Sequence, residues 1–204
     1  MIFIFIGIIV TLVLYLFFGK EFYGVTYIEN FFTEDEFKII KNECKKLEQL
    51  LTKEKYTTAA GRLTTIVPKD TGITNLCERP QTKKKLKLPE NTFPSDVPIE
   101  YRKYPIGSSM DWHNDTLLYT KPQYEVVYTI ENTSDSKTCW FDPNDRKVKE
   151  ITTKPNSAIV IKADDVQHCV TPICEGERDI LKFAYTETLE KAPGYFENAA
   201  NLTT

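Results

Sequence analysis

Tyr104-Pro-Ile-Gly-Ser-Ser-Met-Asp-Trp-His-Asn-Asp115 ends in His113-x-Asp115, in a chain that owns only two histidines. In an extended stretch, side chains two apart leave the same face, so the His113 imidazole and the Asp115 carboxylate converge on one point. The other histidine, His168, lies 55 residues on, within Asp165-Val-Gln-His-Cys-Val-Thr-Pro172, a run that reads as strand rather than helix. Two histidines and one carboxylate suit non-haem Fe(II), because that ligand set leaves neighbouring coordination positions open for a co-substrate and oxygen. Taken alone the His-x-Asp pair is a weak signal, since roughly one histidine in ten has an acid two places later. The residues after His168 strengthen it. Thr171-Pro172 and Gly176-Glu-Arg178 follow, and Arg178, ten residues past the second histidine, offers a planar, permanently charged fork suited to a carboxylate at the bottom of a pocket.

Tyr104-x-x-Gly107-(x5)-His113-x-Asp115 followed by His168-x-x-x-Pro172-x-x-x-Gly176-x-Arg178 resembles the Fe(II)/2-oxoglutarate dioxygenases, and within them the prolyl 4-hydroxylases, over about residues 26–188. The resemblance implies that His113, Asp115 and His168 hold Fe(II). It also implies that Arg178 pairs with the far carboxylate of 2-oxoglutarate as co-substrate, that Tyr104 helps to bind the same carboxylate, and that ascorbate serves as reductant. The implied reaction couples decarboxylation of 2-oxoglutarate to succinate with hydroxylation of an unactivated C–H bond, and it needs no acid–base pair. Met110 stands where the family often has an aromatic, Ser136-Lys-Thr138 where it has a Gly-Gly-x-Thr turn, Ser157 where a Gly follows Pro155, and Ala184 near a Trp position.

The 204 residues suffice for one core without staples, and a net charge of -3 neither demands nor excludes a charged partner. Residues 1–19 carry no charged side chain and are dominated by Ile, Phe, Leu and Val, just long enough to cross a bilayer. They read as a transmembrane anchor. A cleaved signal peptide or a buried core helix are the alternatives, but the run lacks a basic start and a small-residue cleavage pattern. Lys20, the only basic residue beside the run, leaves the orientation open. By resemblance the catalytic domain is expected in the lumen of the secretory pathway.

Residues 20–30 read as a linker or first strand. Thr33 with Glu36 has capping-box spacing, three acids occupy the first turn, and Phe37, Ile40, Cys44, Leu47 and Leu51 mark one apolar helical face. From Thr52 to Pro98 the pattern loosens. Lys83-Lys-Lys85-Leu-Lys87 reads there as a solvated loop in preference to a nucleic-acid patch, because no aromatics interleave it. From Ile99 strands succeed one another: Tyr124–Glu131, Ala158–Ile161 and Arg178–Thr186, with Asp-Pro-Asn-Asp145 and Lys154-Pro-Asn156 as turns. The fold class expected is α+β, mainly β: a double-stranded β-helix, or jelly roll, with a supporting N-terminal helix, preceded by a transmembrane helix. The divisions follow as 1–19 anchor, 20–30 linker or first strand, 31–98 helical support and loops, 99–190 catalytic core and 191–204 tail.

Five cysteines without a CxxC pair make a zinc ribbon a poor reading; disulfides or buried free thiols remain open, with Cys169 and Cys174 flanking one strand. Asn132-Thr-Ser134 and Asn201-Leu-Thr203 match the glycosylation sequon. On the strand from Arg178 the inward face carries Ile180, Lys182 and Ala184, while Leu181, Phe183 and Tyr185 face another layer. Lys182 either reaches water or meets an acidic or carbonyl group of the substrate. Nucleic-acid demethylases of the alkylation-repair type carry Arg six and twelve beyond the second histidine, where this chain has Cys174 and Ile180. A peptide or protein substrate hydroxylated at proline is the expectation, with lysyl or small-molecule hydroxylation and a non-catalytic jelly-roll binding module as alternatives.

Overall fold

In a computed structural model the described residues are 24–55 and 58–199. The expected anchor, residues 1–19, lies outside them; among the described residues no helix is long and apolar enough to cross a membrane.

The chain opens with β1 (Val25–Ile28) and α1 (Glu34–Leu47). Thr33 caps α1 as its spacing predicts: the Glu36 amide donates to Thr33 Oγ1 at 3.4 Å, and the Thr33 amide donates to Glu36 Oε2 at 3.0 Å. Phe37, Ile40, Cys44 and Leu47 are its buried face. Short pieces follow: β2 (Thr52–Lys53), β3 (Ala59–Ala60), β4 (Leu63–Ile66), α2 (Gly72–Glu78), α3 (Pro80–Leu86) and β5 (Phe93–Pro94). The Lys83–Lys87 run is therefore not a solvated loop. It closes α3, Lys83 Nζ donates to the carbonyls of Glu90 and Thr92 at 2.6 and 2.7 Å, and Lys85 Nζ donates to that of Phe31 at 2.7 Å. At seven residues each, α2 and α3 are too short to establish an apolar period against their loop-like composition.

The remaining elements are β6 (Glu100–Tyr104), β7 (Ser109–His113), β8 (Gln123–Asn132), β9 (Thr138–Asp142), β10 (Lys147–Ile151), β11 (Ser157–Lys162), β12 (His168–Val170), β13 (Arg178–Thr186) and α4 (Tyr195–Ala199). They form two antiparallel sheets. The larger runs β1-β11-β8-β13-β6-β4-β2, with β5 alongside β13, and the smaller runs β10-β9-β12-β7-β3. Strands from before residue 99 thus complete both sheets. The strand alternation sorts the larger sheet into two faces. Tyr124, Val126, Tyr128 and Ile130 of β8, Ala158 and Val160 of β11, and Leu181, Phe183 and Tyr185 of β13 pack in one cluster with α1, α2 and α3. The opposite residues, Glu125 and Val127, Ile159 and Ile161, and Arg178, Ile180, Lys182 and Ala184, line a cavity whose other wall is the smaller sheet. The helices are therefore the layer that Leu181, Phe183 and Tyr185 were expected to meet.

The five cysteines are all free thiols. Cys169 faces Cys139 in direct register across β12 and β9, whereas Cys174 is exposed. In the Asn132 sequon the side-chain amide donates to the Thr153 carbonyl at 2.9 Å and its oxygen accepts from Ser134 Oγ at 2.7 Å, so this asparagine is committed to the fold.

Candidate metal centre

His113 ends β7 and His168 begins β12, and these strands pair so that the two histidines stand in direct register, ring centroids 4.3 Å apart. A register shift follows at once: Val170 pairs with Met110, so β7 has one more residue than β12 over this interval. Such a bulge re-aims side chains, and both Met110 and His113 line the cavity.

Each imidazole is oriented from behind by its own main chain. His113 Nδ1 lies 2.8 Å from the Asp111 carbonyl oxygen, and His168 Nδ1 lies 3.0 Å from that of Val166. A carbonyl can only accept, so each Nδ1 carries the proton and leaves Nε2 a bare donor for a cation. Asp115 stands just beyond β7, in a loop tied to residue 164: the Asp164 amide donates to the Asp115 carbonyl at 3.0 Å, and Asn114 Nδ2 donates to the Asp164 carbonyl at 3.0 Å. Its Oδ2 lies 3.5 Å from His168 Nε2. One ligand atom from each of His113, Asp115 and His168 can be chosen so that all lie within 4.8 Å of one another. That spacing and donor set fit an Fe(II) ion. Burial works against the charged Asp115 carboxylate, but Lys182 and the two imidazoles together outweigh it and hold its pKa below the ordinary range. Burial, with His168 nearby, lowers that of His113.

The cavity, of about 320 Å³, runs inward from these three residues. Three buried arginines line it: Arg62, Arg102 and Arg178. Arg62 is clamped by both carboxylate oxygens of Glu54, and Arg102 donates to Glu100 Oε2 at 2.8 Å. Among the described residues Arg178 has no carboxylate partner. It is 2% exposed, its Nη1 donates to Thr138 Oγ1 at 2.9 Å, and its Nε has no partner. Burial lowers its pKa, the mark of a desolvated cation. The turn that delivers Arg178 to the head of β13 depends on Gly176, where φ is +72° and an added Cβ would lie 2.3 Å from the Thr133 carbonyl oxygen.

Tyr104 pairs directly with Arg178 across β6 and β13. Its hydroxyl accepts from Arg62 Nη1 at 2.7 Å. Burial would raise the phenol's pKa, yet the guanidiniums of Arg62, Arg102 and Arg178 lower it. Every site residue expected from the sequence therefore borders one cavity. Arg62, Glu54, Glu100, Arg102 and Glu125 were not foreseen. Glu100-x-Arg102-x-Tyr104 could have been, since polar side chains alternating along a strand announce a polar interior face; nothing local marks Arg62 or Glu54.

The structure gives Lys182 partners that neither sequence reading named: with 19% of its side chain still exposed, its ammonium donates to Asp115 Oδ1 at 3.0 Å and lies 3.5 Å from Glu125 Oε2. Burial would lower its pKa, but these two carboxylates outweigh that and raise it.

No protein-family model and no curated protein matches the sequence. Solved structures do match in three dimensions. A prolyl-4-hydroxylase from Pseudomonas putida superposes with a TM-score of 0.64 at 15% identity, covering 80% of this chain and 92% of the other. A prolyl hydroxylase from Trichoplax adhaerens, solved in complex with a peptide fragment of the hypoxia inducible factor oxygen degradation domain, gives 0.66 at 15% identity, covering 80% and 84%. HygX from Streptomyces hygroscopicus, solved with nickel and 2-oxoglutarate bound, gives 0.62 at 11% identity, covering 86% of each chain. The jelly-roll fold expected from the sequence is thus the fold of this chain, shared with solved 2-oxoglutarate–Fe(II) oxygenases, and the His-Asp-His cluster lies inside it.

Proposed function

We propose that this chain is an Fe(II)- and 2-oxoglutarate-dependent oxygenase whose substrate is a prolyl residue of a peptide or protein. The observation that carries the first part is Arg178: a buried, carboxylate-free guanidinium in the same cavity as three convergent metal donors. An uncompensated buried charge is costly, and a dianionic co-substrate that places one carboxylate on Arg178 relieves that cost. His113, Asp115 and His168 would hold Fe(II), with Tyr104 beside Arg178 on the same carboxylate and Arg62 fixing the Tyr104 hydroxyl. When bound, iron and 2-oxoglutarate supply the oxidising chemistry, with succinate and carbon dioxide as by-products and ascorbate as the reductant that keeps the metal ferrous. The protein's share is to orient Nε2 of both imidazoles, to keep Asp115 ionised and to seat the co-substrate against Arg178 in the cavity they share.

Support for the prolyl part comes from the peptide-bound neighbour and from the spacing of the two motifs. The polar wall formed by Glu100, Arg102, Glu125 and Lys182 favours a second reading, a small hydroxyl- or amine-bearing substrate. Residues 1–19 belong to the proposal as a membrane anchor with the oxygenase domain in the secretory lumen, on the strength of their uncharged apolar run.

The test is succinate release from 2-oxoglutarate by Fe(II)-loaded protein, with and without proline-rich peptides. Iron-dependent turnover stimulated by such a peptide is the expected result. Turnover that only small polar molecules stimulate would select the second reading, and inert protein that binds neither metal nor 2-oxoglutarate would leave a binding module.

A further inference from the structure

Lys182 occupies an unusual place for an ammonium, beside a cluster of metal donors that a dication should fill. The Asp115 carboxylate is divided by its surroundings: Oδ2 lies 3.5 Å from His168 Nε2, while Oδ1 accepts from Lys182 Nζ at 3.0 Å. Lys182 is itself held in place. Glu125 Oε2 lies 3.5 Å away; Gln123 Nε2 donates to Glu125 Oε1, and Gln123 Oε1 accepts from the Leu118 amide at 3.0 Å. On the other flank Glu100 stands in register with Lys182 but is committed to Arg102. A chain of polar contacts therefore runs from a main-chain amide to one oxygen of the metal-binding carboxylate.

An ionised carboxylate has about four lone-pair directions and can take a hard divalent cation with one oxygen or with both. The ammonium on Oδ1 competes with a metal for that oxygen by charge and by space, which leaves Oδ2 as the favoured donor. We propose that Lys182 is a positioning residue that restricts Asp115 to one metal bond, reserving a coordination position for the chelating co-substrate. This rests on reading the site as an Fe(II)/2-oxoglutarate centre. One bond from each of three residues leaves about three positions on a six-coordinate cation, enough for a two-point chelator and one further ligand. A two-oxygen Asp115 would leave about two.

Mn(II)-loaded protein tests the point without turnover, because water-proton relaxation reports how many waters exchange on the bound ion. Lys182→Met should lower the relaxation enhancement per bound Mn(II) by about one third, one position in three. Its affinity for 2-oxoglutarate, measured calorimetrically on the Mn(II) protein, should fall about tenfold or more. Lys182→Arg, which keeps a donor to Oδ1, should restore both. Since Lys182→Met leaves Glu125 buried without its cation, the Lys182→Met/Glu125→Gln double variant removes charge and counter-charge together and should give the same two readings in a folded protein. Parental relaxation and parental 2-oxoglutarate affinity in either Met variant would overturn the proposal. Parent protein that binds Mn(II) but not 2-oxoglutarate would overturn the co-substrate reading instead, while the relaxation comparison still decides the role of Lys182. Parent protein that takes up no Mn(II) would overturn both.

Discussion

Arg178 and His168 make separable demands at the scale of single side chains. Arg178 lines the cavity at 2% exposure with no carboxylate partner among the described residues, so under the proposed function its contribution is to an anion and not to the cation. Losing one member of a buried charge pair costs on the order of 3–5 kcal/mol, or about two to three and a half orders of magnitude in affinity. Arg178→Ala should therefore weaken 2-oxoglutarate binding about a hundredfold or more while Fe(II) stoichiometry stays at the parental value. His168→Ala should do the opposite first: the chain has only two histidines, so nothing replaces the lost ligand, and iron retention should collapse in anaerobically purified protein. Iron content and 2-oxoglutarate titration of the two variants separate these roles, and unchanged iron in His168→Ala would exclude the triad. The pairing of Lys182 with Asp115 also revises what Lys182 substitutions should do. A lysine facing substrate would leave 2-oxoglutarate affinity intact, whereas under the proposed positioning role Lys182→Met should lower it.

Among the elements, α1 carries most of its own instructions. Its capping box and Phe37-Ile40-Cys44-Leu47 face are local patterns, and the structure reproduces both. Glu36 also pairs with Arg79 at the junction of α2 and α3, 2.6 Å from Oε1 to Nη2. Burial pushes the Glu36 carboxyl up, but the Thr33 amide and Arg79 outweigh it and hold it below its ordinary 4.5. A depressed folded-state pKa means the stabilisation is fully present above the unfolded pKa and is lost as the pH falls through the folded one. Glu36→Ala should accordingly cost about 1 kcal/mol near neutral pH. That difference should shrink as the pH drops below about 4.5, as urea unfolding at several pH values would show; a constant difference down to strongly acid pH would contradict it. The strands were legible for a local reason too: the β8 and β11 segments are rich in β-formers and β13 alternates, and in the structure the two faces of each separate helix-facing from cavity-facing residues. The helices α2 and α3 were not, because two turns of mixed Lys, Thr, Asn and Gln give no period to read.

For the molecule as a whole, the described residues place β1 immediately after Gly24, paired to β11, and every cavity-lining residue lies from Thr58 onward. A chain beginning near Glu21 should then fold, bind metal and bind 2-oxoglutarate as the full chain does, while only the full chain should partition into membranes. Purification of both, with metal content and membrane fractionation as readouts, checks this; a shortened chain that aggregates would assign residues 1–20 a structural role. What the sequence by itself determined is the set of chemical parts and their local facing: two histidines and an aspartate, an arginine after a glycine turn, a capped amphipathic helix and alternating strands. These depend on neighbours one to four residues apart, where backbone periodicity dictates which side chains share a face. Only the tertiary structure decided the partners. Arg62 reaches Tyr104 across 42 positions, Lys182 reaches Asp115 across 67, and Cys169 faces Cys139 rather than Cys174. Period-2 alternation says which face a strand shows but not which strand lies beside it or in what register. The closure of the two sheets around a common cavity settled that, and it placed the Lys182 ammonium on Asp115 Oδ1 while Oδ2 lies 3.5 Å from His168 Nε2.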